Sequence, residues 1–179
     1  AAAEAAAGKE RVLHLAIEPG SDIWLLNAMA RIILERNWHD SAFIGQRTET
    51  QTFEAYQRSS LMMDRPRAEV LAEAAQRTGV SVADMEKAAQ WIAAPKADGS
   101  PRRCLLHYEK GLIWGLKNYE NIAAIVDLAL LTGNLGKPGA GVNPLRGQNN
   151  VQGAAHMGCD PTILTGSVAI EDRRALFEA

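Results

Sequence analysis

One arginine, Arg146, lies in a stretch rich in glycine and amides, Thr132 to Gly158, which runs TGNLGKPGAGVNPLRGQNNVQGAAHMG. A planar guanidinium recognises carboxylates and oxyanions through two parallel hydrogen bonds and keeps its charge when buried. Its neighbours Gly147, Gln148, Asn149 and Asn150 include no carboxylate to neutralise it, although one distant in sequence could do so. Glycines let a backbone approach a ligand closely, and amides offer donors and acceptors without net charge. That combination suits a large, flat, polar ligand with many heteroatoms. A loop longer than about 12–15 residues without its own secondary structure is uncommon unless it is functional or disordered. The low charge of the stretch argues against disorder, which leaves a functional loop or a long structured surface loop.

Five other residues carry potential chemistry. In Pro19-Gly20-Ser21-Asp22 the aspartate can accept from guanine N–H groups or ribose hydroxyls, or it can simply cap a helix. In Glu109-Lys110-Gly111 the lysine can meet a phosphate as a point charge, or the two charges can be solvated. His156 sits among small residues and suits proton transfer or donation to a ligand; a histidine held by backbone is the plainer alternative. Cys104 and Cys159 stand 55 positions apart with no CxxC, so neither a zinc site nor an iron–sulfur cluster can be built locally. They are expected as two buried free thiols, with a disulfide the alternative. Cys159 has no partner spacing for a metal, and His14, His39 and His107 share none, so no metal ligand is assigned.

The elements that position these residues follow from periodicity and punctuation. Arg11 to Ile17 is expected to form a buried strand ending in the turn Glu18–Asp22. Asp22 or Ser21 would cap the next helix, whose inner stripe is Ile23, Leu26, Ala30, Ile33 and Leu34 and which fades at Asn37-Trp38. Ser41 to Asp64 is mixed and predicts short helices. Pro66 opens a helix that closes at Thr78-Gly79. Ser81 with Asp84 forms a capping box for another, with Met85, Ala88, Ala89 and Ile92 inward and Pro95 beyond its end. After the polar connector Ala97 to Arg103, Cys104 to Tyr108 predicts a second strand followed by a turn at Glu109-Lys110-Gly111. A helix over Asn118 to Leu131 carries Ile122, Ile125, Val126, Ala129 and Leu130 inward, and Gly133 ends it in a left-handed cap. The strand–loop–helix pattern thus occurs twice. In open α/β sheets ligands bind beyond the carboxyl ends of the strands, so both loops and the glycine–amide stretch could meet at one ligand.

The 179 residues carry a formal charge of −2, with 47% apolar residues, enough for a real core. No basic footprint argues for nucleic acid, and neither a bilayer-length apolar run nor a basic amphipathic helix argues for membrane insertion. No signal-peptide pattern is present. The opening AAAEAAAGKE is Ala-rich without a cap and the chain stops within a charged helical pattern, so a fragment of something longer is expected. The expected fold class is α/β: a three-layer fragment with short parallel strands and flanking helices, part of a larger multidomain subunit. Its divisions are a flexible or truncated start over 1–10, an α/β cofactor-binding region over 11–131, and a cofactor- and active-site loop with the following segment over 132–179.

The run Thr132-Gly133-Asn134-Leu135-Gly136-Lys137-Pro138, then GVNPLRGQNNVQGA and MG, closely resembles the catalytic subunit of molybdenum- or tungsten-dependent formate dehydrogenases. These are molybdopterin-guanine-dinucleotide oxidoreductases of the dimethyl sulfoxide reductase superfamily. Asp172-Arg173-Arg174 and Phe177 resemble the continuation of that sequence. Upstream, RVLHLAIEPGSD, AAQWIAAPK and YEKGLIWG with Asn118-Tyr119 look like the large subunit of arsenite oxidase, another branch of the superfamily. The resemblance covers nearly the whole chain after the first ten residues, and RGQNNVQGA is its most specific part. It implies that Pro19, Gly20 and Asp22 hold the guanosine end of a pyranopterin dinucleotide, with Lys110 and Gly111 on a second strand-end loop of the same cofactor. It implies that Gly147, Gln148 and Asn149 line the cofactor and that Arg146 orients formate beside the metal.

Arsenite oxidases carry a histidine four positions after the matching arginine; here that position is Asn150. The formate dehydrogenase likeness implies oxidation of formate to carbon dioxide by two-electron transfer, with arsenite oxidase- or nitrate reductase-like chemistry on another oxyanion as the alternative. A non-catalytic nucleotide-binding module is the alternative of another class. The implied cofactor is molybdopterin guanine dinucleotide with molybdenum or tungsten. Its metal ligand, and an iron–sulfur cluster, belong to parts of the subunit outside this sequence, without which the chain should be inactive. The implied partners are the remainder of the large subunit, an iron–sulfur electron-transfer subunit and a small oxyanion substrate. The compartment, cytoplasm or bacterial periplasm, is left open.

Overall fold

The computed structural model describes residues 2–8, 10–115, 117–160, 162–166 and 168–169. Asp172, Arg173, Arg174 and Phe177 lie outside the described residues. The chain divides into two compact units, 1–144 and 145–179.

The first unit is organised around α2, Asp22–Glu35, which packs against α5 (Arg67–Thr78), α6 (Val82–Ala93) and α8 (Asn118–Leu131). Ile32 and Ile33 of α2, Leu71 of α5, Met85 of α6 and Leu128 of α8 are fully buried and form the centre of the core. Each such side chain contributes roughly 1.5–3 kcal/mol relative to exposure. The chain punctuates these helices as its residue types require. Gly79 takes a left-handed φ of 72° and closes α5, donating its N–H to the Ala75 carbonyl at 2.9 Å. Ser81 caps α6, its Oγ accepting from the Asp84 N–H at 3.1 Å while its hydroxyl donates to Asp84 Oδ2 at 2.8 Å. Shorter helices complete the unit: α1 (Ala2–Ala7), α3 (Ser41–Arg47), α4 (Thr50–Ser59) and α7 (Lys110–Ile113). Asp40 caps α3 by accepting from the Phe43 N–H at 2.9 Å, and it also pairs with Lys137 at 3.4 Å.

The class is α/β, with the strand component small. Strand β1, Leu105–Tyr108, pairs in parallel with β2, Gly141–Pro144, in a register running from Leu105–Gly141 to Tyr108–Pro144. Asn134 fixes the connection from α8 to this sheet. Its Oδ1 accepts from the N–H of half-buried Cys104 at 3.0 Å, and its Nδ2 donates to the buried Thr132 Oγ1 at 2.8 Å. Gly133, at φ 60°, stands at the expected left-handed end of α8.

Several expectations are corrected. Arg11 to Ile17 is not a paired strand: its residues alternate between exposed and half-buried, and Leu13, Leu15 and Ile17 rest on the core with no ladder partner among the described residues. Alternation secures one face, but a strand also needs a neighbour for its backbone groups. Lys110-Gly111 is not a turn but the first half of α7, a single helical turn. In α8 Ile125 and Ala129 are buried as expected, but Asn121, Ala124, Leu128 and Leu131 fill the rest of the inner face in place of Ile122, Val126 and Leu130. Thr132 to Gly158 is not a structureless loop: it supplies β2 and α9, Val151–Ala154, which runs on into a π-helical turn over Ala155–Cys159. In the second unit, β3 (Ile163–Leu164) and β4 (Val168–Ala169) pair antiparallel. Cys104 and Cys159 are both free, but only Cys104 is partly buried; Cys159 is exposed.

Candidate functional site

Each residue singled out from sequence owes its position to an identifiable local device. Pro19 and Gly20 form an exposed tight turn, closed by the Ser21 N–H donating to the Glu18 carbonyl at 3.1 Å. Gly20 has φ 81°, and a Cβ there would meet nothing within 4 Å, so a ligand could lie against this backbone. Ser21 occupies the cap position of α2, yet its side chain makes no cap bond; the hydroxyl donates instead to the Glu18 carbonyl at 2.6 Å. Asp22, expected as a possible cap, is the first helical residue and is half-buried. Trp24 and Leu25 donate their N–H groups to the Ser21 carbonyl at 3.0 and 3.4 Å, which leaves the Asp22 and Ile23 N–H groups without a partner among the described residues, at the end of a helix where anions and polar ligands are favoured.

The second loop follows β1. Lys110 and Gly111 are exposed, and a Cβ on Gly111 would also meet nothing within 4 Å. The Lys110 ammonium lies 5.2 Å from the centroid of the Trp114 ring, while Trp114 itself remains 77% exposed. Two acceptors beside this loop are buried without a partner among the described residues, Glu109 Oε1 and Asn121 Oδ1. Sequence reasoning missed both. A buried unpaired acceptor costs about 1–3 kcal/mol, so a ligand rich in N–H donors fits these positions. Across the parallel sheet, Asn143 Nδ2 and His107 Nδ1 lie 3.3 Å apart, a pairing that no spacing in the sequence disclosed. A cavity of about 300 Å³ lies between the first half of α2, α5, the segment after α4 and the residue before α8, lined by Ile23, Trp24, Asn27, Leu61, Met62 and Lys117 among others. No hydrogen bond or ion pair joins Pro19–Asp22 to Lys110–Gly111 among the described residues.

Arg146, Gly147, Gln148 and Asn149 belong to the second unit. All four are exposed in the bend between β2 and α9. Arg146 has no hydrogen bond and no ion pair among the described residues, so its five donors are uncommitted. Asn150 is committed. It takes a left-handed backbone, φ 52°, and its Oδ1 accepts from the Gly153 N–H at 3.2 Å, capping α9. His156 is exposed and has a hydrogen-bonding or electrostatic neighbour, and its carbonyl accepts from the Gly166 N–H at 2.7 Å. No group of three or more His, Cys, Asp or Glu side chains that could hold a metal occurs among the described residues. No described helix is long and apolar enough to cross a membrane.

No family model matches the chain. Curated relatives do. The chain is 38% identical over 166 residues to formate dehydrogenase H of Escherichia coli K12, covering 89% of the chain and 20% of that protein. It is 35% identical over 170 residues to the F420-dependent formate dehydrogenase subunit alpha of Methanocaldococcus jannaschii, covering 95% of the chain and 23% of the relative. Arsenite oxidase subunit AioA of Herminiimonas arsenicoxydans is 38% identical over 133 residues, 74% of the chain and 15% of the relative. The chain therefore spans less than a quarter of the length of each of these three relatives.

Proposed function

Since the chain belongs to the molybdopterin oxidoreductases of the dimethyl sulfoxide reductase superfamily, as a segment homologous to part of their catalytic subunits, we propose that it serves a formate-oxidising enzyme. The observation that carries this reading is the uncommitted Arg146 within RGQNNVQGA. An exposed guanidinium without a carboxylate partner has all its donors available for a carboxylate substrate, and bidentate binding would fix formate in one orientation. Formate oxidation yields carbon dioxide, one proton and two electrons.

The residues present suit a pyranopterin guanine dinucleotide. Gly20 and Gly111 would let its backbone-hugging parts approach, and Asp22 would accept from guanine or ribose donors. Pro19 would hold the turn, Lys110 would meet a phosphate as a point charge, and Gly147, Gln148 and Asn149 would offer backbone and amide contacts. When bound, the cofactor with its molybdenum or tungsten supplies a two-electron acceptor; the chain's own residues bind, orient and neutralise charge. The metal's protein ligand and an iron–sulfur cluster would come from other parts of the subunit, and an iron–sulfur subunit would carry the electrons onward.

Arsenite oxidation is a second reading, supported by the upstream likeness and by the arsenite oxidase relative. Against it stands Asn150, whose side chain caps α9 where arsenite oxidases place a histidine. The discriminating experiment assays the intact catalytic subunit with formate, arsenite and nitrate. Formate turnover alone is expected; arsenite or nitrate turnover without formate would replace the reading.

A further inference from the structure

Away from the residues assigned so far, α3, α4 and the C-terminal half of α8 leave a cavity of about 390 Å³ between them. Its apolar walls include Ile44, Phe53, Leu130 and Leu131, and its polar lining comprises Arg47, Thr48, Thr52, Tyr56 and Asp127. Phe53 and Tyr56 lie three positions apart on α4, so both turn to the same face; their rings stack with centroids 6.4 Å apart. The Tyr56 hydroxyl is buried and has no hydrogen-bond partner among the described residues. Asp127 is half-buried and makes no hydrogen bond or ion pair among the described residues. Arg47 also lines the cavity, but its guanidinium lies over the Phe43 ring, 5.9 Å from the centroid, rather than on Asp127. Burial raises the pKa of the Asp127 carboxyl.

A carboxylate and a hydroxyl left unpaired in apolar surroundings each carry a desolvation cost. Both are relieved by one group that has N–H donors at the end of an apolar stem. An anion would be repelled by Asp127, and a hydrated ion would not use the apolar walls. The chain spans only 15–23% of the length of its relatives, so in such enzymes much other polypeptide is available to pack against this face. We propose that the cavity is a socket for a lysine or arginine side chain from polypeptide outside this sequence. Its stem lies along Phe53, Leu130 and Leu131, and its charged head rests on Asp127 with the Tyr56 oxygen as second acceptor. The socket is an assembly contact, independent of which substrate Arg146 binds.

The test uses n-butylammonium and n-butylguanidinium as probes of the 179-residue chain, with n-butanol and n-butyrate as controls. At several-fold excess over Kd the two cations should raise Tm by about 2–4 °C, and neither control should. Asp127→Asn should abolish the rise and Tyr56→Phe should reduce it, with unchanged circular dichroism showing that both variants fold. In the intact subunit the socket is filled, so carbodiimide with glycinamide should label Asp127 in the isolated chain and leave it unlabelled there. An equal rise with n-butanol, a rise that survives Asp127→Asn, no rise with either cation, or equal labelling of Asp127 in both proteins would overturn the proposal.

Discussion

Two arginines separate the two units. Arg31, in the apolar stripe of α2, is 3% exposed, and its donors are engaged by the chain. Its Nε bonds Glu35 Oε1 at 2.8 Å, and its guanidinium donates to the carbonyls of Leu61 (3.2 Å), Met62 and Arg65 (2.9 Å). That clamp holds a segment in which Met62 adopts a left-handed backbone at φ 50°. Glu35 also meets Arg67 at 2.8 Å, and Arg67 bonds Glu86, so the pairs form a network. Arg146 has none of this: it is exposed and unpaired among the described residues. The same guanidinium chemistry closes a fold in one place and stands available for a ligand in the other. Amides divide likewise, Asn134 being wholly engaged in the core and Asn149 exposed.

The largest effect expected from this contrast is on stability. Arg31→Met should destabilise the chain by about 3–5 kcal/mol, because it leaves buried acceptors unpaired. Arg146→Met should change stability by no more than about 0.5 kcal/mol. Urea unfolding of the two variants measures both; similar losses would erase the distinction. Asn134→Ala should cost about 1–3 kcal/mol by orphaning the Cys104 N–H, and Asn149→Ala close to nothing, again by urea unfolding. Gly20→Ala should cost about 1–2 kcal/mol from its left-handed backbone, with no steric clash behind it. A larger loss in urea would mean that the turn is packed more tightly than its open surroundings indicate.

The smallest effect concerns pH. Burial raises the Asp127 pKa, so the penalty for ionising it in the folded state is absent below the unfolded value of about 3.9 and present above the folded one. Asp127→Asn should therefore be slightly more stable than the parent at pH 7, and the difference should vanish near pH 3. The other titratable groups facing this site are Tyr56 on α4, which burial raises above its ordinary value, and Arg47 on α3. Glu73 and Glu86 act in the opposite sense. Hydrogen bonds from Arg77 and Arg67 respectively hold them below the ordinary carboxylate range, so their contribution is lost as pH falls through those lowered values. Comparing parent with variant at each pH isolates Asp127 from them.

The long helices were legible because periodicity and punctuation coincide. Gly79 and Ser81 mark the boundary between α5 and α6, and Pro95 follows the end of α6. Short elements were not legible. The four residues of β2 gain their identity from pairing with β1, which no local pattern in Gly141–Pro144 announces. Arg11 to Ile17 shows the converse, a good strand pattern without a partner. For the site, glycine and amide content marked the loops, and a Cβ at Gly20 or Gly111 would meet nothing within 4 Å. The orphaned acceptors on Glu109 and Asn121 were invisible, since an unmade hydrogen bond leaves no trace in sequence. The only signal for Arg31 was a charge interrupting the apolar run from Ala28 to Leu34.

The most direct measurement of the central claim is the formate kinetics of the intact catalytic subunit carrying Arg146→Ala, with molybdenum or tungsten and pterin content measured alongside. Loss of an orienting donor should lower kcat/KM by about 10²–10³-fold, with metal and pterin content unchanged. Formate turnover at the parental rate, or a loss traceable entirely to missing cofactor, would contradict a substrate-binding role for Arg146.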